Sequence, residues 1–89
     1  MDAHTVRLLR ELRNELHQAE SLTERDLELR EQVLEDIQAL LEGSGKVSPD
    51  DYHPALGRLQ DAIRRFEVTH PSLAAGMGRV IDSLSNTGI

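Results

Sequence analysis

Apolar residues recur along the chain at helical spacing, and short polar segments interrupt them. From residue 2 to 19 the leucines fall three or four positions apart, which places them on one face of a helix. Similar stripes occupy residues 22–42, 49–69 and 71–86. The sequence therefore predicts one all-α domain of three to four amphipathic helices, forming a helical hairpin or a bundle.

The join between the first two predicted helices contains neither Gly nor Pro. One continuous helix would place Thr23 and Asp26 in the middle of the apolar stripe, so a break near residues 20–23 is favoured over a single long helix. Ser21 with Glu24 fits a capping box, and Thr23 with Asp26 fits a second one. We expect Ser21 to act as a cap or turn residue here, and the continuous helix remains the alternative.

Glycines end the second predicted helix. Gly43 and Gly45 indicate a linker over residues 43–47. Ser48 is then the predicted cap of helix 3, with Pro49 at its first helical position.

A second break is predicted at His70-Pro71. Proline disfavours helical geometry in the residue before it, so helix 3 ends near residue 69 and Pro71 opens helix 4. At the other end of helix 4, Asn86 suits turn geometry, and Gly88 suits a left-handed helix stop.

The third and fourth helices carry the stripes that we expect to form the core or a dimer seam. The stripe of helix 3 has heptad-like, coiled-coil spacing. Ala74 and Gly78 flank the stripe of helix 4, where small side chains allow another helix to approach closely. The predicted core or interface residues are Leu56, Leu59, Ile63, Phe66, Leu73, Met77, Val80 and Leu84.

Charge and composition narrow the classes of function. The formal net charge is −6, and the acidic excess falls within residues 1–42. An acidic surface repels phosphate backbones, which argues against nucleic-acid binding. No apolar run reaches the ~18 residues of a membrane span, and the chain contains no cysteine. We therefore expect a cytoplasmic protein that binds neither nucleic acid nor membrane.

Glu67 and His70 are the residues whose spacing could support metal chemistry. Glu-x-x-His places a carboxylate and an imidazole on one helical face, as in di-iron bundles, but those use two such motifs. The sequence holds one copy, beside a proline. His70 is accordingly expected to hydrogen-bond at the corner between helices 3 and 4, and no metal, cofactor or catalytic residue is predicted.

Four segments of the chain resemble a known family. They are the opening around Leu8–Leu12, Asp36–Leu41, Phe66–Pro71 and Ile81–Ile89. With these segments the chain resembles a family of short bacterial proteins, domain-of-unknown-function family DUF4404. The resemblance implies an all-helical bacterial cytoplasmic protein and supplies no catalytic residue, substrate or cofactor.

These observations favour a non-enzymatic structural or protein-interaction module. The stripe of helix 2 is broader than one neighbouring helix requires, and a monomer of 89 residues has a modest core. The expected partner is a second copy of the chain or another helical protein. The alternative is a metal- or small-ligand-binding bundle that uses Glu67 and His70.

Overall fold

The computed structural model describes the backbone of residues 3–42 and 49–87, and the side chains of residues 3–42 and 53–86. Its helices are α1 (Ala3–Gln18), α2 (Glu24–Glu42), α3 (Pro49–Phe66) and α4 (Pro71–Thr87). Each helix contacts the next one along the chain, and α1 also contacts α4, whereas neither diagonal pair makes contact in the described part. This arrangement is that of an up-down-up-down four-helix bundle.

Helices α1 and α2 are separate, as the sequence pattern favoured. The break covers residues 19–23, and Ser21 has a positive φ of 61°. Such a backbone conformation is uncommon outside glycine and reverses the chain direction. Ser21 is therefore the turn residue, whereas Thr23 makes the capping hydrogen bonds that the sequence also allowed at Ser21.

Helix α3 ends at Phe66, short of the predicted end at residue 69. The chain continues as a hydrogen-bonded turn, in which the Glu67 amide donates to the Ile63 carbonyl (2.8 Å) and the His70 amide donates to the Phe66 carbonyl (2.6 Å). Pro71 has no N–H with which to continue this ladder. Proline therefore stops the helix as predicted, but the reversal begins earlier than its position suggests.

The far end of α4 also differs from expectation. Asn86 lies within the helix, because α4 continues to Thr87, and its side chain is exposed. The predicted turn role of Asn86 is thus wrong. Ser48, Gly88 and the linker over residues 43–47 lie outside the described residues.

The core lies along the bundle axis and draws on all four helices. Phe66 is its largest fully buried side chain. Of the predicted core residues, Leu56 and Ile63 are only partly buried and pack against the edge of the core. The α3 stripe is therefore rotated towards its alanines. The buried apolar residues of the hydrophobic cluster are Leu8, Leu9, Leu12, Leu16, Val33, Ile37, Leu40, Ala55, Leu59, Ala62, Phe66, Leu73, Met77, Val80 and Leu84.

Small residues are buried on the two helices that share the most extensive contact. Ala55 and Ala62 on α3 and Ala74 on α4 are buried, and α3–α4 is the most extensive helix contact. The predicted role of Gly78 is wrong, because a Cβ there would meet no atom within 4 Å. A Cβ on Gly76 would instead lie 3.4 Å from Leu12 Cδ1 and 3.3 Å from Glu15 Oε2, so Gly76 lets α1 approach α4.

We predict that Phe66→Ala lowers the free energy of unfolding by ~3–5 kcal/mol, because a fully buried ring leaves a cavity. Urea denaturation followed by circular dichroism measures the change. Val68→Ala is the matched control: Val68 is 84% exposed, and its truncation should cost less than ~0.5 kcal/mol. Equal denaturation midpoints for wild type and Phe66→Ala would contradict the assignment of this ring to the core.

Candidate functional site

His70 joins the two turns at one end of the bundle. Its Nε2 lies 2.8 Å from the carbonyl oxygen of Glu20, in the α1–α2 turn, and its Nδ1 lies 3.0 Å from Thr69 Oγ1. A carbonyl only accepts, so Nε2 carries the proton, and in the neutral imidazole Nδ1 accepts from the threonine hydroxyl. The ring also meets Phe66 edge-on, with 5.6 Å between centroids.

The backbone of His70 caps α4. Its carbonyl oxygen accepts from the amides of Leu73 (3.1 Å) and Ala74 (3.2 Å), and Pro71 follows as the first helical residue. Proline is suited to that position, because the first N–H of a helix has no partner within the helix. One residue therefore ends the α3 turn, starts α4 and connects both to the α1–α2 turn.

The metal hypothesis for Glu67 and His70 has no support from this geometry. Both ring nitrogens of His70 already have protein partners, and Glu67 is exposed in the turn. No group of three or more potential metal ligands occurs among the residues that the structure describes. A metal could bind His70 only by displacing one of its two hydrogen bonds.

A second connection at the same end involves the cap of α2. The Thr23 amide donates to Asp26 Oδ2 (3.1 Å), and the Asp26 amide donates to Thr23 Oγ1 (3.2 Å), which forms a reciprocal capping box. Arg65 of α3 donates through Nε to Asp26 Oδ1 (2.6 Å) and through a terminal nitrogen to Thr23 Oγ1 (3.3 Å). The residues that cap α2 therefore also bind Arg65 of α3.

Asp26 is an ionised group in this setting. The hydrogen bond from the Arg65 guanidinium lowers the pKa of the Asp26 carboxyl below its ordinary value of 3.8, burial opposes that shift, and the Thr23 hydrogen bonds reinforce it. Asp26 is one of the few buried polar residues described. A buried carboxylate needs a paired cation, and Arg65 supplies it.

A second arginine joins the same two helices. Arg58 of α3 donates to both carboxylate oxygens of Asp36 on α2, at 2.6 Å and 3.0 Å. This fork-to-carboxylate pairing raises the pKa of the Arg58 guanidinium. Ion pairs therefore connect α2 with α3 in two places, and neither pair is predicted by the sequence pattern.

An open pocket of about 260 Å³ lies beside His70, between α1 and the start of α4. Ala19, Pro71 and Leu73 form its apolar wall, and its polar lining comes from Glu15, Gln18, His70 and Ser72. The Glu15 Oε2 atom is buried against Gly76 without a hydrogen-bond partner. The pocket thus combines an apolar wall with one carboxylate.

One flank of α2 keeps an apolar row at the surface. Leu27, Leu34 and Leu41 recur every seven residues and so lie in line along the helix. Leu27 is 38% exposed, whereas Leu34 and Leu41 are partly buried and also pack against the core. We call this row the α2 leucine row. Arg30 lies beside it, with its Nε buried and without a hydrogen-bond partner.

The sequence pattern indicates that His70 forms hydrogen bonds at this corner, but it does not indicate the partners of several other polar groups. Asp26 was noted as a capping residue, and its link to Arg65 spans 39 positions. Thr5 and Ser83, whose buried hydroxyls bond to each other between α1 and α4, were not identified. The signal in the sequence that could have indicated these buried polar contacts is a polar residue at a position of an apolar stripe, as at Asp26 and Thr5.

Comparison with known proteins gives one family match. The model of a domain of unknown function, DUF4404, matches residues 6–89. Neither the curated proteins nor the solved structures include a significant match. No helix in the described ranges combines the length and apolar character needed to cross a membrane.

We predict that His70→Ala lowers the free energy of unfolding by about 1–2 kcal/mol, through loss of one hydrogen bond across the turns and of the edge contact with Phe66. Urea denaturation at pH 7 measures it. His17→Ala, at an exposed position on α1, is the control and should stay within ~0.5 kcal/mol of wild type. If both variants match wild type, His70 does not stabilise the junction.

We also predict a pH dependence that arises from Asp26. Because its pKa is lower in the folded state, the ion pair stabilises the protein above pH 3.8, and this contribution disappears as the pH falls through the folded-state pKa. Asp26→Asn should be less stable than wild type at pH 7, and the gap in urea midpoint should shrink as the pH falls below 3.8. A pH-independent gap for Asp26→Asn would contradict the assigned ion pair.

Proposed function

Because the chain belongs to the DUF4404 family of domains of unknown function, we propose its role from the geometry: a non-enzymatic, cytoplasmic interaction module that associates with copies of itself. The observation that carries the proposal is the α2 leucine row. Leu27 and Val68 are the large apolar residues exposed in the described part, and Leu27 alone belongs to a row. A row of seven-residue spacing is typical of a helix that packs against another helix.

The other apolar stripes support this choice of surface. Phe66, Leu73, Met77, Val80 and Leu84 are buried within a single chain, in contact with neighbouring helices of the same bundle. Exposing them to form a seam between subunits would require the bundle to open. Self-association therefore has to use a surface other than these buried stripes, and the α2 leucine row provides one.

The polar groups of the described residues support a non-enzymatic role. Asp26 and Asp36 are paired with arginines that connect helices, and the His70 ring connects two turns. Each of these groups has a structural partner that would have to be given up for acid–base chemistry. Their geometry therefore favours a scaffold with a contact surface over a catalytic centre.

Light scattering coupled to size exclusion, over a wide concentration range, tests the proposal. We expect the mean mass to rise from the 10.0 kDa of one chain with increasing concentration. Leu27→Ser should reduce the rise, whereas Val68→Ser, the other exposed apolar position, should leave it unchanged. A constant 10.0 kDa at every concentration would contradict self-association.

A further inference from the structure

We infer that α1 and α2 together form the contact surface for a second copy of this chain, with a two-fold axis parallel to the helices. This inference rests on the proposed function and adds the surface and the geometry. The surface, called here the α1–α2 face, consists of Val6, Arg13, Leu27, Glu31, Leu34 and Leu41.

Neighbouring helices determine which flanks of α1 and α2 remain uncovered. On α2, the flank with Leu29 and Asp36 lies against α3, since Asp36 binds Arg58 and Leu29 shares a groove with Arg65. At ~100° per residue the α2 leucine row falls on the opposite flank. Its side chains are therefore available on the α1 side of the helix.

The uncovered flank of α1 is identified in the same way. Glu15 and Ala19 line the pocket shared with α4, so they mark its α4 flank. Val6 and Arg13 lie on the other flank, next to α2, and both are partly buried. The α1–α2 face is thus a shallow surface with an apolar centre, and its two edges come from different helices.

Opposite charges on the two edges select the partner and its orientation. The α1 edge carries Arg13, with exposed Arg10 close to it, and the α2 edge carries Glu31, which is 65% exposed and lies 3.6 Å from a terminal nitrogen of Arg30. A two-fold axis parallel to the helices lays α1 of one copy on α2 of the other, so that arginine meets glutamate twice. A two-fold axis across the helices would place arginine against arginine.

The mixed charge also discriminates against other occupants. A strongly basic helix from another protein would be repelled by Arg10 and Arg13, and an acidic one would be repelled by Glu31. A second copy carries both signs in the matching arrangement. Such complementarity across an interface contributes more to specificity and register than to raw affinity.

The dimensions of the face predict a weak dimer. The bundle is 19 Å across, and α2 is ~28 Å long at 1.5 Å per residue. One copy can therefore bury roughly 500 Å² and a pair roughly 1,000 Å², the low end of specific interfaces. Association should accordingly be reversible and depend on concentration.

A charge exchange tests the inference. Sedimentation equilibrium gives the dimer dissociation constant for wild type, Arg13→Glu, Glu31→Arg and the double variant that carries both changes. Each single reversal creates two like-charge contacts and should raise the dissociation constant at least about tenfold. The double variant restores opposite charges and should return to within about threefold of wild type.

Matched controls separate this contact from the effect of net charge. Arg64→Glu and Glu67→Arg make the same charge changes at exposed positions away from the face and should leave the dissociation constant unchanged. Circular dichroism confirms that each variant is folded. If Arg13→Glu is unfolded, Arg10→Glu, at an exposed position, replaces it in the exchange.

The outcomes distinguish the inference from the proposed function. Loss in both single variants and recovery in the double variant support the α1–α2 face. Association that is unaffected by the reversals, or a double variant as weak as the single ones, overturns this face and leaves self-association intact. A wild-type chain that stays monomeric at all concentrations overturns both.

Discussion

The bundle depends on one constraint: each helix has to bury its apolar stripe against the stripes of its neighbours. Its helices have 16 to 19 residues, a length at which an isolated helix is only marginally stable in water. Each helix therefore needs two neighbours, and the contact between α1 and α4 closes the ring that provides them. Leu12 and Met77, on those two helices, are both fully buried. The close approach at Gly76 lets the two helices meet, and the bonded hydroxyls of Thr5 and Ser83 lie between them.

Polar connections then specify one arrangement of these stripes. Apolar packing tolerates small rotations and shifts of a helix, whereas hydrogen bonds require defined geometry. At one end of the bundle, His70 and Arg65 extend from the α3–α4 hairpin to the α1–α2 hairpin, and each binds a group in or next to the α1–α2 turn. Arg58 of α3 and Asp36 of α2 form a further connection between these two helices, farther from that end of the bundle. His70, Arg65, Arg58 and Asp36 thus all join helices or turns of the bundle.

The sequence predicts most of this fold, because the signals that start and stop its helices are local. The His70-Pro71 break and the helical spacing of apolar residues act within a few positions, so each can be found without knowing the rest of the chain. Three features depend on the assembled bundle and were misjudged or missed. The choice between Gly76 and Gly78 depends on the angle of α1, the rotation of α3 towards Ala55 and Ala62 depends on α4, and the partners of Asp26 and Asp36 lie far along the sequence. Local sequence patterns contain no information on how residues far apart in the chain pack against each other.

α2 buries fewer apolar side chains in the core than α1 does, and this affects how the bundle opens. α2 contributes Val33, Ile37 and Leu40 to the buried core, whereas α1 contributes four leucines. Two ion pairs join α2 to α3. Native proteins fluctuate through partly opened states, and the elements with the fewest buried apolar contacts open at the lowest cost. We therefore expect α2 to be the first helix to detach and the last to dock during folding. A partner bound to the α1–α2 face would close this weakest point, so that association and the rigidity of the bundle would be thermodynamically linked.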